Sequence, residues 1–113
     1  MPLCCQGSGG RPSPKDIADL CLQVAAAYMG IAPAGLVAPG RARGVTARAR
    51  HLAYYLAHVA AGLSMREVAR RFGRHPTSIA YALSRIEDAR DARGFDAALD
   101  RLEQTVDRAG VRP

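Results

Sequence analysis

The chain has 113 residues, 49% of them hydrophobic, enough to close the core of one compact domain. Alanine supplies much of that fraction, tryptophan is absent and aromatics are few, which argues against a sandwich of β-branched strands and for closely packed helices. The formal net charge is +6 with Lys15 as the sole lysine, so the cations are arginines, and no stretch approaches the roughly 20 apolar residues of a membrane span.

In chain order, residues 1–12 hold Gly7, Gly9, Gly10 and Pro12 and little to bury, and read as a disordered leader; residues 13–113 read as the helical domain. Cys4 and Cys5 are adjacent and Cys21 stands apart with no histidine near, so no metal site is expected and the thiols read as reduced. The leader also lacks the apolar core of a signal peptide, which makes the cytoplasm the expected location. Ser13, Pro14 and Asp16 supply a capping hydroxyl, a first-turn proline and an acid at the positive dipole end, so a helix is predicted to start there. Its apolar stripe is Ile17, Leu20, Cys21, Val24 and Tyr28, and Gly30 ends it.

A short helical turn over 31–37 is predicted to bury Ile31 and Leu36. The loop over 38–44 contains Pro39, Gly40 and Gly44, which break regular structure, and Arg41 and Arg43, which have no acid nearby and are available to a ligand. Thr46 is expected to cap a helix running to about Ala61, with Leu52, Tyr55, Leu56 and Val59 inward, Arg48, Arg50 and His51 in its first turns, and Gly62 stopping it. His58 on that helix reads as a structural residue rather than a ligand.

Ser64-Met65-Arg66-Glu67 is a capping box, in which the hydroxyl and the carboxylate each satisfy an orphan amide. The helix it opens ends about two turns later at Gly73, and Pro76 suits the first turn of the next, carried by Ile79, Leu83 and Ile86 to about Arg90. Two helices are thus expected to meet across a four-residue turn. A last amphipathic helix, from about Phe95 to Arg108, is predicted to turn Phe95, Leu99, Leu102 and Val106 inward and its acids outward.

Charge is divided along the chain. Between Arg41 and Arg85 nine arginines face one acid, Glu67, whereas Glu87 to Asp107 carries seven acids and three arginines. The middle of the chain also has what a helix-turn-helix needs: Ala69 where two helices cross closely, Gly73 at the turn, and Val68, Phe72, Ile79 and Leu83 as apolar anchors. Arg74, His75, Thr77, Ser78 and Tyr81 then project from the start of the second helix toward base edges, with Arg66 and Arg85 adding charge at the helix ends. Catalysis is not expected, because His51, His58 and His75 have no Cys or Asp partner at a suggestive spacing.

Three stretches, Ala49-Arg50-His51-Leu52-Ala53-Tyr54-Tyr55-Leu56-Ala57, Gly62 to Val68, and Phe72-Gly73-Arg74, carry a family resemblance. Through them, and over about Ile17 to Ile86, the chain resembles the carboxy-terminal DNA-binding domain, domain IV, of the bacterial replication initiator DnaA. The resemblance implies an all-α, multi-helix domain of Trp-repressor-like form with a helix-turn-helix, double-stranded DNA as partner, a part in regulating replication initiation, and association with the nucleoid. It further implies that Arg41 or Arg43 enters the minor groove. Arg50 would hold phosphate, with His51 where the family has glutamine, and Thr77-Ser78 would stand for the family's Thr-Thr pair.

Two departures bear on specificity: His75-Pro76 stands where the family has Asp-His, and Gly73 alone replaces a double glycine, so the reading helix is expected to start one residue sooner. No phosphate-cradling loop is present, so no nucleotide or other cofactor is expected. Two alternatives stay open on the residues: an initiator-like module that binds a protein regulating replication initiation, and a helix-turn-helix transcription regulator that dimerises on a palindrome.

Overall fold

The computed structural model describes residues 13–37 and 44–109, all helix and connection with no strand among them. Helix α1, Pro14–Met29, starts as expected, with the Ser13 hydroxyl accepting from the Asp16 amide at 3.2 Å, and ends at Gly30 with φ 73. Its buried positions are Ile17, Ala18, Cys21, Leu22, Ala25 and Ala26, while Leu20 and Val24 are partly buried. Tyr28, expected inward, is 43% exposed, because the buried stripe shifts toward Ala25 and Ala26 in the last turns. The short α2, Pro33–Val37, drops Leu36 into the core and leaves Ile31 ahead of it partly buried.

Helix α3, Gly44–Tyr55, is the central element, packing most broadly on α1 and on the second helix of the turn motif. Ala49, Ala53 and Ala57 recur every fourth residue, are fully buried, and share the core with Ala25 and Ala26 of α1. Methyl side chains on both helices let the axes approach closely, which is where the alanine-rich composition is used. The helix begins two residues before Thr46, at Gly44, whose φ of 58 is readily reached only without a Cβ.

Its end also differs from expectation. Leu56–Ala60 forms a π turn, closed by the Ala61 amide on the Leu56 carbonyl at 3.0 Å, before Gly62 with φ 83 turns the chain. His58 donates from Nδ1 to the Leu63 carbonyl at 2.7 Å, the structural role foreseen for it, and so ties the end of the π turn to the connection that follows.

Helix α4, Met65–Phe72, is capped by the Ser64 hydroxyl, which accepts from the Glu67 amide at 3.1 Å. Only that half of the capping box forms as expected, since the Glu67 carboxylate accepts from Arg71 Nε at 2.6 Å, one turn further on. Helix α5, Pro76–Ala89, follows after Gly73, Arg74 and His75, three residues where four were expected, and Val68, Ala69, Ile79, Ala82 and Ile86 close the interface with the core.

Helix α6, Arg93–Arg108, packs on the π turn and α1 and fully buries Leu99 and Val106. It begins two residues before Phe95, and its acids are not simply outward. Arg90, at the end of α5, donates to Asp96 at 2.7 Å, Asp100 at 2.9 Å, Glu103 at 2.9 Å and the Tyr55 hydroxyl at 2.6 Å. Sequence reading missed this hub, because Arg90 meets α3 and α6 only once the helices are packed.

Candidate nucleic-acid interface

The turn between α4 and α5 is fixed by three local devices. Gly73 takes φ 65, and its amide and that of Arg74 return to carbonyls of Ala69 and Arg70, closing α4. His75 is extended, φ −74 and ψ 143, as a residue before proline should be, and its Nδ1 accepts from the Thr77 amide at 3.1 Å. Pro76 fills the first turn, where its missing N–H leaves no unsatisfied donor. His75 therefore works as the cap of α5 and does not stand within the helix.

Beneath the turn, the Phe72 ring lies 4.9 Å from Tyr54 on α3, tilted by 55°. The Tyr54 hydroxyl accepts from Arg74 Nε at 3.2 Å, so Arg74 is half-buried and held by the core. These contacts tie the turn to α3, on which α5 also packs directly.

Beyond the cap, α5 exposes Thr77, Ser78, Tyr81 and Arg85. Tyr81 is 59% exposed, and its ring meets His51 of α3 edge-on, centroids 5.9 Å apart and planes at 87°. Burial, reinforced by the positive charge of Arg85, holds the His51 imidazolium below its ordinary pKa of 6.5. Thr77, Ser78, Tyr81 and Arg85 thus form one surface with His51, and Arg74 and His75 shape its N-terminal edge.

The arginines divide by exposure. Arg48 on α3 and Arg66 on α4 are exposed, as expected, and so is Arg70, which sequence reading left out although its position one turn after Arg66 places both on one face of α4. Arg50 departs from expectation. It lies in the first turns of α3 as expected, but it is only 7% exposed, among the alanines of the central helix. Arg41 and Arg43 lie outside the described residues, as do Cys4, Cys5 and the leader. Cys21 is fully buried, and that burial pushes its thiol up to about 12. Among the described residues no group of His, Cys, Asp and Glu is placed to hold a metal, and no helix is long and apolar enough to cross a membrane.

Comparison with known proteins places this geometry. A crystal structure of a DNA replication initiation factor superposes on 82% of the chain with a TM-score of 0.72 at 23% sequence identity, a likeness of fold. The chain spans 29% of the length of that protein. No curated protein shows significant similarity. The model of the bacterial DnaA protein helix-turn-helix matches residues 18–86, which run from α1 through the turn and most of α5. That match covers more than half of the chain, and the chain belongs to the bacterial DnaA helix-turn-helix family and carries its DNA-binding helix-turn-helix.

Proposed function

We propose that this chain binds duplex DNA to regulate the initiation of chromosomal replication, acting by occupancy rather than catalysis at the nucleoid. The observation that carries the reading is the outward face of α5, capped by His75 and carrying Arg85, with exposed Arg48 and Arg66 on the two helices that pack beside it. Arg48, Arg66 and Arg85 would hold phosphates, and Arg41 and Arg43, beside the start of α3, would reach the minor groove. Arg50 and His51 act at the base of that grip. With 7% of Arg50 exposed, its part is to brace α3 more than to reach a phosphate.

Specificity for the initiator's own box is expected to be weak. Pro76 offers no amide and His75 is occupied as a cap, so two positions that meet base edges elsewhere in the family are altered here. Each lost base contact removes about 1 to 3 kcal/mol of discrimination, while phosphate contacts carry no sequence information. The test is a competition between a box-bearing duplex and a scrambled one at physiological salt. Similar affinities, both falling steeply with salt, support the proposal. A preference of three orders of magnitude or more for the box would show that His75-Pro76 still reads bases. Binding to neither would favour a protein that regulates initiation as the partner.

A further inference from the structure

What α5 can read follows from its side chains, given the duplex binding proposed for this chain. From Thr77 to Ser84, its first two turns contain no Arg, Lys, Asn, Gln, Asp or Glu. Bidentate recognition of guanine needs Arg or Lys, and that of adenine needs Asn or Gln, so neither is available from this stretch. Ile79, Ala82 and Ile86 face the core, and at about 100° per residue Thr77, Tyr81 and Ser84 fall on the outward side, with Tyr81 leaning toward His51 of α3. Tyr81 is the one large side chain on that outward line. It is 59% exposed and thus available to a ligand, and His51 braces one side of its ring edge-on at 5.9 Å.

We propose that Tyr81 is the specificity-determining residue of α5 and reads the C5 methyl of a thymine in the major groove, with His51 as the positioning residue that fixes its ring. An aromatic ring offers apolar contact, and thymine presents the one methyl group among the unmodified bases at the major-groove edge. The Thr77 methyl, one turn earlier on the same line, widens the apolar patch. The preferred site therefore contains a thymine under the second turn of α5.

The experiment takes the full chain through selection from random duplexes, then replaces each thymine of the preferred site singly by deoxyuridine, which removes the methyl and leaves pairing intact. At one position the parent protein should bind about fourfold more weakly, the equivalent of one buried methyl. Tyr81→Phe should keep that penalty and Tyr81→Ala should abolish it. His51→Ala should shrink the penalty, whereas a full penalty would end the positioning role. Because Tyr81 is exposed, both of its variants should keep the parent's melting temperature. The proposal is overturned if no deoxyuridine substitution weakens the parent, if Tyr81→Ala retains the penalty, or if Tyr81→Phe loses it. Failure to bind any duplex would instead overturn the DNA-binding reading on which it rests.

Discussion

His51 sits half-buried on α3 between Tyr81 and the charge of Arg85, an environment that favours the neutral ring. Because its pKa is lower folded than unfolded, the unfolded chain takes up the proton first as pH falls. The contribution of His51 to stability is thus present in full above about pH 6.5 and is lost as pH drops through its folded value. In His51→Gln, the loss of stability between neutral and mildly acid pH should be smaller than in the parent, measured by urea unfolding at each pH. Equal losses would show that His51 is not responsible. Arg90 is the second residue on which much converges. Replacing it with methionine leaves Asp96, Asp100 and Glu103 repelling one another and the hydroxyl of Tyr55, itself only 4% exposed, without its donor. The expected cost is about 1 to 3 kcal/mol, mostly the stranded hydroxyl, because the carboxylates are partly exposed and screened. Added salt should narrow the gap between variant and parent, and a cost that salt leaves unchanged would remove repulsion from the account.

At the scale of elements, the helix-turn-helix depends on a turn of three residues and a ring beneath it. Gly73 has φ 65, and a Cβ built there meets nothing within 4 Å, so alanine would cost conformational strain alone, about 1 kcal/mol. Asparagine, which tolerates the left-handed region, should cost less. A thermal scan of both variants decides, and equal stability of Gly73→Ala and the parent would mean that the turn is not held in that conformation. Phe72→Ala removes the contact with Tyr54 and loosens the platform that holds Arg74. Phe72 is half-buried, so about 2 to 3 kcal/mol is expected, less than the roughly 3 to 5 of a fully buried phenylalanine. A variant as stable as the parent would show that the crossing of α4 and α5 is set elsewhere.

For the molecule as a whole, α6 lies beyond residues 18–86, the part that matches the family, yet it completes the core. Leu99 and Val106 are fully buried against the rest of the chain, and three partners of Arg90 come from this helix. Ending the chain after Ala92 should lower the unfolding free energy by about 3 to 6 kcal/mol, the worth of two buried aliphatic side chains and comparable to the whole stability of a small domain. If the shortened chain melted with the parent, α6 would be an appendage. The sequence by itself determined the all-α class and the starts of α1, α4 and α5, because serine hydroxyls, prolines and glycines act on amides within three or four residues of themselves. It also determined the exposed reading positions Thr77, Ser78 and Tyr81, since their spacing against Ile79 and Ile86 assigns the faces of one helix. Only the tertiary structure decided that Arg50 is buried while Arg48 is exposed, that Tyr28 faces out, that α3 ends in a π turn, and that Arg90 gathers three carboxylates. Each of those depends on which helix lies alongside, through packing of alanine stripes and contacts across 6 to 35 residues, and helical periodicity carries no information about a neighbour's position.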